Sequence, residues 1–189
     1  MNNRTLRDLF VDELMDTYDA EHRIIKAIPK MMKAAQSEEL VAGFKVHLAQ
    51  TQEHIVRLER VFKLFDLTPE RKTCKAMLGL LAEGEELMAE DGVAGVRDAA
   101  LIAAAQKVEH YEMATYGCLR TWAQVMGEDK ARKLLQQTLD EEGETDHKLT
   151  QLALNLNTDA LGEDDEEAAM LSVRRTAAST DTGNSPHRR

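Results

Sequence analysis

Residues 97–116 read Arg97-Asp98-Ala99-Ala100-Leu101-Ile102-Ala103-Ala104-Ala105-Gln106-Lys107-Val108-Glu109-His110-Tyr111-Glu112-Met113-Ala114-Thr115-Tyr116. Steps of three, four and seven residues from Glu112 reach Leu101, Ala105, Val108, Tyr116 and Leu119, which share its face at about 100° per residue. The stretch is a helix, and it places a carboxylate in the middle of its own apolar stripe. Working outward, the same spacing gathers Phe10, Leu14, Tyr18, Ile24, Ile25 and Ile28 around Glu21. It gathers Leu135, Leu139, Leu149, Ala153 and Leu156 around Glu142. Three helices therefore each present an acid to a common interior.

The composition agrees with an all-α fold. Aromatic residues make up 4 % of the 189 residues and there are three prolines, so Ala, Leu, Met, Glu, Lys and Gln carry the chain. A formal net charge of -10 argues against nucleic acid or an anionic membrane surface as partner. No apolar run approaches the roughly eighteen residues of a membrane span, and Met1 to Asp12 lacks the apolar core of a secretory signal. A soluble, cytoplasmic protein is expected. Cys74 and Cys118 lack metal-ligand spacing and are expected to be reduced, packed thiols.

Apolar periodicity divides the chain into helix segments. Thr5 to about Ala35 forms one long helix, with Pro29 expected to kink it. Glu38 to Phe65 forms a second, with Asp66 to Pro69 as its stop. Thr68-Pro69-Glu70 has the pattern of an N-cap followed by proline at the first helical position, and Met77 to Met88 suggests a shorter crossover helix ended by Asp91-Gly92. Two further long helices, about Val93 to Val125 and Asp129 to Leu156, flank the turn at Met126-Gly127-Glu128. Short turns within each pair and a long connection between pairs predict two antiparallel hairpins, the ferritin-like four-helix bundle. Residues 1–160 form that domain. Residues 161–189, opening with an acidic run and continuing in Ser, Thr, Asn and Arg, offer too little apolar surface to offset chain entropy and are expected to be disordered.

An ionised carboxylate inside a bundle takes up a proton, pairs with a cation or binds a metal. Glu109 lies one turn before Glu112, and Asp146 lies four residues after Glu142, about 40° round the helix. Bundles that hold two iron or manganese ions use Glu in this way, with companions three or four residues off. On the second helix the corresponding position is Gln50, flanked by His47 and His54. A neutral amide coordinates but does not balance charge, so metal affinity or metal count is expected to fall. The Glu144-x-x-His147 pair points about 140° away from Glu142 and is discounted. Glu141, Glu144, His22, His147 and His187 are expected to be solvated, and the methionines to fill the core rather than bind copper.

Asp16-Thr17-Tyr18-Asp19-Ala20-Glu21, His47-Leu48 with Thr51, the Arg97 to Glu112 stretch, and Leu139 to Glu142 with Thr145-Asp146 together resemble the YciE/YciF family over about residues 3 to 156. The resemblance implies a ferritin-like bundle, usually a homodimer, in bacterial stress proteins similar to the domains of rubrerythrin. Carried onto this chain it makes Glu21, Glu109, Glu112 and Glu142 the carboxylates of a di-iron or di-manganese site. Gln50 departs from the family's usual Glu, and His54 is placed to compensate.

Two functions follow as expectations. In the first, Glu21, Gln50, His54, Glu109, Glu112 and Glu142 hold the metals, Tyr18, His47, Tyr116 and Asp146 surround them, and peroxide or dioxygen is the substrate of ferroxidase or peroxidase chemistry. In the second, the buried acids form a metal-free hydrogen-bonded network in a structural or interaction protein. Iron storage in a cage ranks behind both, since no feature specifies a shell.

Overall fold

The computed structural model describes residues 4–89, 94–158 and 160–161. The described residues form five helices and no strand: α1 (Leu6–Ala34), α2 (Glu38–Leu64), α3 (Lys75–Ala89), α4 (Ala94–Val125) and α5 (Asp129–Leu156). None of them is long and apolar enough to cross a membrane. The expected Asp91-Gly92 stop, the Val93 start and residues 162–189 of the tail lie outside the described residues.

Local chemistry sets the helix ends. Thr5 and Asp8 form a reciprocal capping box that satisfies the first free amides of α1. Pro29 lies within α1, which continues past it to Ala34 despite the lost amide donor. Ser37 caps α2. The Asp98 carboxylate of α4 accepts the amides of Gln36 and Ser37 at 2.9 and 2.8 Å, pinning the α1–α2 turn to α4. Both α2 and α4 end in a left-handed residue, Asp66 (φ 58°) and Gly127 (φ 78°). In each case the amide two residues beyond the cap returns to the helix, Leu67 to Phe62 and Glu128 to Ala123.

One expected boundary is corrected. Thr68-Pro69 does not start a helix; residues 67–74 are non-helical, and Cys74 caps α3 instead, its sulfur accepting the Met77 amide at 3.3 Å. The reason is tertiary. Asp19 of α1, almost fully buried, takes Arg71 and the Cys74 amide, and Lys72 donates its amide to the Met15 carbonyl, so this segment is held along α1 in a non-helical course. Cys74 is buried as expected, whereas Cys118 is exposed.

Packing joins the long helices side by side: α1 lies on α2 and α4, and α5 lies on α2 and α4, while α3 covers α4 and α1. Phe10 stacks on Phe65 at 4.6 Å, setting the start of α1 against the end of α2. Gln106 reaches Thr150 and Arg120 reaches Gln136, so α4 and α5 are antiparallel as well. The core divides into two apolar clusters. One holds Phe10, Leu14, Phe62, Leu119 and Leu135, and the other Ile24, Ile28, Phe44, Leu101 and Leu149. Each fully buried large side chain contributes about 1.5–3 kcal/mol. Glu21, His47, His54, Glu109, Glu112 and Glu142 fall between these clusters on their own helices, forming a polar layer sealed at both ends by apolar packing.

Candidate metal centre

The polar layer is built by helix periodicity. On α2, His47, Thr51, His54 and Leu58 form one buried stripe, so two histidines two turns apart look the same way. On α4, Glu109 and Glu112 are one turn apart. Glu21 of α1 and Glu142 of α5 complete the layer, and each of the four glutamates is at most 1 % exposed.

Candidate ligand atoms of His47, Glu109, Glu112 and Glu142 lie within 4.8 Å of one another, and so do those of Glu21, His54 and Glu142. Glu142 belongs to both groups. His54 Nδ1 is 2.9 Å from Glu142 and 3.5 Å from Glu21, and His47 Nδ1 is 3.0 Å from Glu109. Tyr116 donates its hydroxyl to Glu21 at 2.5 Å. Most of the remaining polar capacity has no partner. Both oxygens of Glu109, Glu112 and Glu142, one of Glu21, His47 Nε2 and His54 Nδ1 are buried without a directed hydrogen bond. His54 and Glu142 approach closely, but without the geometry of a directed hydrogen bond. Among the described residues, the only cationic groups within ion-pair distance of the four glutamates are the two histidines.

Electrostatics follow from that crowding. Burial lifts the Glu112 carboxyl well above its ordinary range, and the neighbouring Glu142, Glu21 and Glu109 add to the rise. Burial also raises Glu109 to about 7, with His47 pulling the other way. Burial opposes a charge on His54, but Glu142 and Glu21 outweigh it and push the ring up to about 11. His47 is raised in the same way by Glu109. Burial and then the Glu21 charge hold the Tyr116 phenol strongly protonated, in keeping with its role as donor. The layer is acidic and deeply buried, and its groups hold protons more tightly than they would in water.

Over residues 5–161 the sequence matches the family described as Domain of unknown function (DUF892). The chain belongs to that family. Protein YciF of Escherichia coli (strain K12) is 47 % identical over 156 residues, which is 82 % of this chain and 94 % of that protein. The crystal structure of the E. coli stress protein YciF superposes with a TM-score of 0.80 at 45 % identity, covering 82 % of this chain and 99 % of the other. A Rhodopseudomonas palustris protein, YcfI, whose name carries a provisional structural-protein label, gives 0.77 at 41 % identity over 79 % of this chain and 95 % of its own. The YciE/YciF resemblance and the all-helical fold are thus both established.

In this DUF892 chain the residues singled out from sequence separate into two sets. Glu21, His47, His54, Glu109, Glu112, Glu142 and Tyr116 come together in the polar layer. Gln50, Tyr18 and Asp146 stand outside it. Gln50 is half-buried, about 60° round α2 from His47, on the wall of a groove of about 280 Å³ shared with Phe44, His47, Leu149 and Leu152. Tyr18 donates to Glu59 at 2.9 Å, since its ring is held between His22 and Phe62. Asp146 faces His110 at 3.2 Å and Gln106 on the α4–α5 seam, because 40° of helix rotation is enough to move it out of the interior.

Glu141, expected to be a solvated charge, is instead enclosed by Arg57 and His54. Its position 100° from Glu142 would expose it on an isolated helix, but α2 packs over that side. For Arg57 the sequence offers only its place one turn after His54. His147 is exposed as expected, and His22 is half-buried against Tyr18.

Proposed function

We propose that this chain is a ferritin-like four-helix-bundle protein that holds two iron or manganese ions in its polar layer and reacts with peroxide or dioxygen, as a ferroxidase or peroxidase in a stress response. The observation that carries the reading is the set of buried carboxylate oxygens with no hydrogen-bond partner. Uncompensated, such groups cost several kcal/mol each. Four carboxylates and two divalent cations balance in charge, and oxygen with imidazole donors suits Fe(II) and Mn(II). Four glutamates and two histidines also make up the donor set of the di-metal bundles, although here both histidines come from α2.

When bound, the metals would supply electron transfer to the oxidant. The protein's part is to hold Glu21, His47, His54, Glu109, Glu112 and Glu142 in place, with Glu142 common to both halves. Tyr116 fixes one oxygen of Glu21 and leaves the other free. The apolar clusters above and below exclude water, and the groove ending at His47 offers a small neutral molecule a short path inward. A cytoplasmic homodimer is the accompanying proposal, supported by the exposed Val46 and Val56 on the outer side of α2.

A metal-free structural role is the second reading. It is favoured by the label on the R. palustris relative and by the contacts that already pair His47 with Glu109 and Tyr116 with Glu21. Anaerobic loading with Fe(II), followed by stoichiometric peroxide, separates the two. Ferric absorbance should grow in the wild type faster than in buffer and should return to the buffer rate in Glu112→Ala. Equal rates in wild type, variant and buffer would reject the oxidant chemistry.

A further inference from the structure

The two histidines of the polar layer are held in different ways. His47 meets Glu109 through Nδ1, while its Nε2 is buried without a partner. His54 is engaged on both sides of the ring. Its Nδ1 faces Glu142 and Glu21, and its Nε2 lies 3.0 Å from Glu141 Oε2.

Glu141 is itself immobilised. Arg57 grips its carboxylate with both terminal nitrogens, at 2.7 and 2.8 Å, and donates to Thr138 Oγ1 at 3.1 Å. Gln137 adds a further bond to the same carboxylate. His54 and Arg57 are one turn apart on α2, and Thr138 and Glu141 one turn apart on α5, so the four side chains interlock across the contact between the helices. A carboxylate held by a bidentate guanidinium is an acceptor only. The proton at the His54–Glu141 contact must therefore sit on Nε2. The nitrogen that would give up its proton to a metal and offer a lone pair is then Nδ1, which points at Glu21 and Glu142.

We propose, resting on the di-metal reading above, that Glu141 and Arg57 are a positioning pair that fixes the His54 ring and makes it a metal ligand through Nδ1. Neither residue touches the metal. Their effect is to set the ring's orientation and tautomer, as the outer partners of ligating histidines do. His47 has no such partner on its Nε2.

The test uses the full chain and Co(II), whose visible spectrum reports nitrogen ligation, in wild type, Glu141→Leu and Glu141→Gln, with ring nitrogen shifts of His54 recorded in the Zn(II)-loaded protein. Wild type should show a protonated Nε2 and a metal-bound Nδ1. Removing the acceptor in Glu141→Leu should weaken Co(II) binding about 10- to 100-fold. Glu141→Gln keeps the shape and an acceptor oxygen but loses the paired charge; about three- to tenfold weakening is expected, and this variant decides the matter if the leucine variant does not fold. A merely structural role would lower the melting temperature without changing Co(II) affinity in the folded protein. Unchanged affinity in the folded variants, or His54 bound through Nε2, would overturn the proposal while leaving the metal centre intact. Failure of the wild type itself to take up Co(II) would overturn both.

Discussion

Two sets of buried carboxylates lie in this protein, and they are treated in opposite ways. Asp19 is 3 % exposed, yet its oxygens meet Arg23, Arg71 and the Cys74 amide. Asp98 is 4 % exposed and accepts two backbone amides. Glu109, Glu112 and Glu142 are more deeply buried and have no directed hydrogen bond on either oxygen. The first set is complete as the chain folds. The second has no such partners within the fold, and under the proposed function bound metal supplies them, which is why a buried acid alone says little and an unpartnered cluster says much.

Substitution should break the comparison most visibly at Asp19. Asp19→Ala orphans the Cys74 amide and both guanidinium groups, and should cost about 3 kcal/mol in urea denaturation, equally with metal or with chelator. Arg23 and Arg71 are partly exposed, which keeps the loss from being larger. The same site carries a pH signature. Burial opposes ionisation of Asp19, but Arg23, the Cys74 amide and Arg71 outweigh it and hold the carboxyl below its ordinary 3.8. With a depressed folded value, its contribution is present above about pH 4 and disappears as the pH falls through the folded value. The stability gap between wild type and Asp19→Ala should close over that acid range and stay constant from pH 5 to 7; a gap that persists in acid would contradict the assignment.

Glu112→Gln should behave in the opposite way. In chelator its melting temperature should match or exceed that of the wild type. With free metal a hundredfold above the dissociation constant, the wild type should gain about 2.7 kcal/mol that the variant lacks. A loss of the same size with and without metal would move Glu112 into the structural set. Asp98→Ala, which strips the acceptor from the Gln36 and Ser37 amides, should cost about 1–2 kcal/mol regardless of metal. The smallest change is expected from Gln50→Glu. Gln50 lines the groove rather than the polar layer, so metal affinity measured by competition should shift by no more than about threefold. A larger gain would show that this side chain turns inward.

Much of this could be read from the sequence because it is periodic. The stripes around Glu21, Glu112 and Glu142 each follow from one helix at a time, and so do most of the helix bounds; the gathering of these acids follows from three such stripes facing one interior. What was hidden depends on contacts between helices. Glu141 looks like a surface residue until α2 brings Arg57 and His54 to it. Thr68-Pro69 has the local chemistry of a helix start, but Asp19, some fifty residues earlier, holds the segment along α1 out of a helix. Gln50 and His47 differ by a single helical turn, and only the packing of α2 on α5 decides which of them enters the layer. Tyr18 and Asp146 show the same limit, for their partners Glu59 and His110 are not implied by any spacing.

The most direct measurement is the number of metal ions retained per chain after anaerobic loading with Fe(II) or Mn(II) and desalting, with Glu112→Ala carried through in parallel. About two ions per wild-type chain and a loss in the variant are expected. No retained metal in either protein would contradict the account and leave the polar layer as a protonated structural network.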